Sequence, residues 1–360
     1  MSKTYLDRTI AHHSQKLFAS SDIESQLSLG RALQAIGAGK DNESPKSTYN
    51  RIRKSGYGAR IKTVSEIICD MFYDRIYDEG SSEQDRAEYL AYFLHSFFAY
   101  KITNPDKGFF ENDSDVGVPT TSLHPTRELV ERMFNAGNID TQSNPDIAEY
   151  IESQIWHIDF PNHALDLSNG RDIKIPAFVK SVVYAPTIGL NIITLILPQE
   201  GMREIHLGCV EEGEHETVLC THPEYMEGLQ DLAESIIWSF CRTLAVYYWT
   251  QQDASDTGII QRVEGGINRP SVKAAKRAPK GISLFTHTQL GINDSDGSLP
   301  TTKQAEDNRR GYSHGFEVQG HFRWQACGPK HSQRKLIYIA SFVKGDKENV
   351  VPKAELHTVR

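Results

Sequence analysis

The chain lacks the features that would place it outside the reducing interior of a cell. Only five of its 360 residues are cysteine (Cys69, Cys209, Cys220, Cys241 and Cys327). They are scattered, odd in number and never spaced Cys-x-x-Cys, which argues against a disulfide framework and fits reduced thiols. No apolar run is long enough to span a bilayer comfortably; the longest, Ile236 to Trp249, is interrupted by Arg242. The opening Met1-Ser2-Lys3-Thr4-Tyr5-Leu6-Asp7 has no apolar core of a secretory leader. The chain has no internal repeat and no Gly-x-x-x-x-Gly-Lys-Ser/Thr loop, so an NTPase is not expected. The expected location is cytoplasmic.

What is present is a globular composition, 39% apolar and 24% charged, with a net charge of −8 unevenly placed. Residues 1–264 carry a net −16, residues 265–347 a net +8, and the tail 348–360 balances. An acidic body joined to a basic region points to an anionic partner for the latter. At this length the chain can bury a large core and form more than one domain.

Periodicity predicts an α+β fold in five parts. Residues 1–150 form an N-terminal helical region: apolar residues at mixed three and four spacing mark helices at about Tyr5–Phe18, Ile23–Ile36, Lys62–Tyr77 and Glu83–Tyr100. Shorter helices are predicted near Glu128–Asn135 and Asp146–Gln154. Residues 40–60 read as a basic loop with Lys40, Lys46, Arg51, Arg53, Lys54 and Arg60, and 103–125 as turn-rich. Residues 151–252 form a central α+β domain. Short strands at 157–161, 164–167, 178–184, 190–197, 204–210 and 217–221 predict an antiparallel sheet of five or six strands. A long helix over Glu224–Gln251 packs on this sheet, with Thr221-His222-Pro223-Glu224 as its capping-box start. Residues 253–313 read as a flexible basic linker, 314–346 as a small C-terminal β-module and 347–360 as a tail.

Several residue groups carry candidate chemistry. Gly311-Tyr312-Ser313-His314-Gly315 matches the nucleophile elbow of α/β-hydrolases, but polar linker precedes it and a strand follows, the reverse of what that elbow needs. His206, Cys209, Cys220 and His222 are four metal-capable side chains on one hairpin; on a regular strand 206 and 209 point to opposite faces, so no metal is assigned. Asp159 and Asp166 with His157 and His163 have the residue types for acid–base work, and equally suit exposed strand ends. The strongest group is in the last module: His321, Arg323, Trp324, Lys330, Arg334, Lys335, Tyr338 and Lys344. Arginine and lysine neutralise phosphate or an acidic peptide, and Trp324 and Tyr338 offer faces on which a base can stack.

That module also resembles a known family. Gly320, His321, Phe322, Arg323 and Trp324, a Gly-Pro turn, then Phe342, Val343 and Gly345 recur in order at the C-termini of the type V-A anti-CRISPR family of phages and plasmids. Gln319 stands where that pattern has a basic residue, and Phe322 where it has tryptophan. The central block, about 156–251, is similar in its apolar-Asp-Phe-Pro entry, sheet and Trp/Tyr-rich helix. The resemblance implies a non-enzymatic regulator, without cofactor, small-molecule substrate or membrane partner, that lowers production of a host protein in a bacterial cytoplasm. Nascent peptide, mRNA or ribosome are its implied partners; which residues hold a peptide is unknown. A plain nucleic-acid-binding accessory protein and a metal-dependent nuclease are the alternatives.

Overall fold

The structure is a computed structural model that describes residues 4–111, 114–130, 145–161, 178–197, 201, 203–212, 215–226, 243–244, 247–248, 259–264, 285–292, 316–318, 321–327, 329, 333–339 and 342–344. Five helices come first: α1 (Tyr5–Leu17), α2 (Ile23–Ala35), α3 (Pro45–Lys54), α4 (Tyr57–Ile76) and α5 (Glu83–Thr103). Local signals start four of them. Thr4 and Asp7 close a capping box on α1, while Asp22, Ser44 and Ser82 each accept a hydrogen bond from the backbone N–H three residues on. α3 corrects the expectation of a basic loop over 40–60. Ser44-Pro45 is a helix start, and Tyr49 and Ile52 are buried. Its cations decorate the other side, where Arg51 pairs with Glu43 at 2.8 Å. Gly30 permits the α2–α3 contact: a Cβ there would lie 2.1 Å from the Pro45 carbonyl oxygen.

The α+β class holds, but the sheet is mixed and larger than expected. Eight strands run in the order β6-β5-β4-β3-β2-β1-β8-β7. Their ranges are β1 (Thr120–Pro125), β2 (Ile155–Asp159), β3 (Phe178–Ala185), β4 (Leu190–Leu197), β5 (Arg203–Glu212), β6 (His215–Cys220), β7 (Ile259–Glu264) and β8 (His287–Ile292). From β2 to β6 neighbours pair antiparallel, as expected. β1, inside the stretch read as turn-rich, runs parallel to both β2 and β8. β7 and β8 come from the stretch read as linker. Phe285, part of the isolated apolar spot Leu284-Phe285 in that stretch, is buried, and so is Leu290 of β8. Long-range pairing creates these strands, and no local period announces it.

Both faces of the sheet are covered, so all five residues of β2 are buried. Alternation sends Trp156 and Ile158 into one core, with Ile193, Leu195 and Leu207 and with Ile147 and Ile151 of α6 (Pro145–Glu152). Leu244 joins this core, and Tyr247 and Tyr248 pack against it. The rest of the expected 224–251 helix, the expected strand at 164–167 and most of the helix near 128–135 lie outside the described residues. The expected capping box at Thr221 does not form: its hydroxyl accepts from the His206 N–H at 3.0 Å, and a 3-10 turn occupies Pro223–Tyr225. On the opposite face, Ile155, Val183, Leu190, Ile192, Val210 and Leu219 meet α5. α5 is buried without interruption from Phe93 to Lys101, as expected of a helix with sheet on one side and helices on the other.

Two smaller ladders follow: β10 (His321–Cys327) with β11 (Gln333–Ile339), and β9 (Phe316–Val318) with β12 (Phe342–Lys344), both antiparallel.

Candidate functional site

The register of the main sheet lines up a polar row under the helices. Asp159, Ser181, Thr194 and His206 are direct cross-strand partners on β2, β3, β4 and β5. Two residues away the parallel row is His157, Val183, Ile192, Gly208 and Leu219. Gly208 lets α5 close on this second row, since a Cβ there would stand 2.4 Å from Leu90 Cδ2. Where α5 leaves the polar row, α1 covers it, and a cavity of about 510 Å³ opens between them. That volume is in the range of small-ligand pockets.

α1 contributes one continuous face to the cavity: Tyr5, Arg8, Thr9, His12, His13 and Lys16, at helical spacings of three and four. α5 adds Tyr92 and His95, and the strands add Lys180, Ile196, Glu204 and His206. Asp159 anchors the floor. It accepts a 2.7 Å hydrogen bond from the Tyr5 backbone N–H, at the positive end of α1, and lies 3.3 Å from Lys180 Nζ and 3.7 Å from His124 Nδ1. The Tyr5 hydroxyl donates to Glu204 Oε2 at 3.1 Å, and burial followed by that carboxylate raises the phenol's pKa.

Three of the histidines here, His13, His95 and His206, are neutral. Burial is the main cause in each case, lowering His13 to about 3, His95 to about 4 and His206 to about 3, and their mutual repulsion adds for His13 and His206. His95 Nδ1 lies 2.8 Å from the Ala91 carbonyl, which only accepts, so that nitrogen carries the proton. Its Nε2 therefore presents a bare lone pair, and among the described residues it has no hydrogen-bond partner; neither has His13 Nδ1.

The residues singled out from sequence fare differently. His157 and Asp159 are buried, so of the two alternatives the exposed strand ends do not hold for them. The His157 Nδ1 is 3.0 Å from the Ser122 hydroxyl, while Asp159 is committed to α1, Lys180 and His124, so the two do not form a catalytic pair. Asp166, His163 and Gly311–Gly315 lie outside the described residues. The four metal-capable side chains go separate ways. His206 meets Thr194, Cys209 Sγ lies 2.8 Å from Glu216, Cys220 Sγ lies 3.3 Å from the His222 carbonyl oxygen, and His222 meets Glu224. Among the described residues no group of three His, Cys, Asp or Glu is placed to hold a metal.

Of the C-terminal group, β10 carries His321, Arg323 and Trp324, β11 carries Arg334, Lys335 and Tyr338, and β12 carries Lys344, which is exposed. Lys330 lies outside the described residues. The ladder pairs Arg323 with Ile337, Trp324 with Leu336, Gln325 with Lys335 and Ala326 with Arg334. By alternation, positions 321, 323 and 335 share one face and 322, 324, 334 and 338 the other. The hairpin thus brings together residues up to eighteen apart in sequence.

Sequence reasoning missed the cavity. Two signals were there: the polar stripe Tyr5–Arg8–Thr9–His12–His13–Lys16 on α1, and His95 inside the apolar run Leu90–Tyr100. In comparisons with known proteins, no family model, curated protein or solved structure matches this chain.

Proposed function

We propose that this chain is a non-enzymatic binding protein of a mobile genetic element that lowers production of a host protein, in the manner of the type V-A anti-CRISPR family it resembles. RNA of a translating complex is the ligand of its C-terminal module. The observation that supports this reading is the β10–β11 hairpin, which gathers Arg323, Arg334, Lys335, Trp324 and Tyr338 on one short ladder inside the +8 region of an otherwise acidic chain. Cations hold the phosphates and aromatic rings stack on unpaired bases. Like-charge repulsion between the acidic body and RNA confines contact to this end of the sequence.

The test is sedimentation of tagged protein from a bacterial lysate, with and without ribonuclease. Comigration with ribosomes that ribonuclease abolishes is the expected result. It should also disappear when Arg323, Arg334 and Lys335 are all replaced by glutamate. Association that survives the triple replacement would sink the proposal.

A further inference from the structure

We propose that the cavity between α1, α5 and the polar row of the sheet binds a small phosphate ester carrying hydroxyl or N–H donors, a sugar phosphate or a nucleoside monophosphate. This stands independently of the RNA-binding reading, which concerns other residues.

Charge selects the anion. Leaving the histidines aside, the lining cations Arg8, Lys16 and Lys180 outnumber the one lining carboxylate, Glu204. Lys180 is tied to Asp159, whereas Arg8 and Lys16 are exposed at the mouth. A guanidinium presents a planar fork of donors that matches phosphate oxygens.

The interior selects the rest of the ligand. His95 is 1% exposed and His13 7%, yet His95 Nε2 and His13 Nδ1 are buried with no hydrogen-bond partner among the described residues. Leaving such groups unmatched costs about 1–3 kcal/mol each. Inorganic phosphate brings only its own P–OH as a donor and leaves the rest of the cavity unfilled. A ribose hydroxyl or a heterocyclic N–H offers His95 Nε2 the donor it lacks. The Tyr92 ring, whose centroid is 4.7 Å from that of His13, adds an aromatic wall beside these acceptors.

Titration calorimetry of the full chain with ribose 5-phosphate, adenosine 5′-monophosphate and inorganic phosphate tests the idea. Saturable binding of at least one organic phosphate, more tightly than inorganic phosphate, is expected. Tighter binding of the nucleotide would assign the base to the acceptors, and equal binding the sugar. Two variants then separate site from scaffold. Arg8→Ala with Lys16→Ala changes only exposed side chains. His95→Asn keeps a donor for the Ala91 carbonyl while removing the Nε2 acceptor. Each should weaken binding by about tenfold or more, the scale of one lost charge-assisted or buried hydrogen bond. Inorganic phosphate binding as tightly as the esters, affinity unchanged in both variants, or no saturable binding of either ester would overturn the proposal.

Discussion

α5 carries two buried polar groups six residues apart, and they are finished in opposite ways. Lys101, fully buried, lies 3.1 Å from Asp115 Oδ2 and donates to the carbonyls of Lys107 and Asp115. Asp115 in turn accepts from the backbone N–H groups of Phe109 and Phe110. Aromatic rings pack beside it, Phe93, Phe97, Phe109 and Phe110 among them. His95, six residues earlier and among the residues lining the cavity, has one nitrogen satisfied by its own helix and the other buried without a partner among the described residues. The first group is complete within the protein and acts as a lock on the loop after α5. The second has no such completion among the described residues. A buried charge with every valence met is a structural element; a buried acceptor left open beside a cavity is a place where a water or a ligand can donate.

Breaking the lock should have the largest effect. Lys101→Met strands the Asp115 carboxylate and is expected to lower unfolding free energy by about 3–5 kcal/mol in urea titrations. Adding Asp115→Asn, which keeps an acceptor for Phe109 N–H, should recover much of the loss. If the single variant is as stable as the parent, the pair is no lock.

The open histidine should show itself in acid. His95 has a folded pKa of about 4 against about 6.5 unfolded, so the unfolded chain binds the extra proton between those values. Its contribution is intact above pH 6.5 and drains away as pH falls towards 4. The parent should therefore lose more stability in acid than His95→Asn does, by about 2 kcal/mol at pH 5. Parallel stability–pH curves for the two proteins would contradict a neutral buried imidazole. The smallest effect is reserved for an ion pair of the same chemistry nearer the surface. Arg51→Ala, which breaks the half-buried contact with Glu43, should shift the melting temperature slightly, and less still at high salt.

How much of this was legible in the residues follows the range of the interactions. The helices α1, α2, α4 and α5 and the strands β3, β4 and β5 were readable because period, caps and β-branched runs are local properties. α3 was readable too, from Ser44-Pro45, although the density of cations disguised it. The cationic hairpin was visible as two strand-like runs around Gly328-Pro329, and the ladder brings its residues into register.

The cavity was not visible as a site, though its parts were in view. The stripe on α1 and the histidine in α5 are eighty residues apart, and the polar row takes one residue from each of four strands. Sequence by itself determined the α+β class, the helical face of α1, the polarity of His95 within an apolar run and the charge asymmetry along the chain. Only the tertiary structure decided that β1 runs parallel between β2 and β8, that β7 and β8 belong to the sheet, and that Asp159, Ser181, Thr194 and His206 stand side by side. Cross-strand register is the reason. It is set by many weak pairings summed over the whole sheet, and a slip of one residue would turn that polar row to the other face.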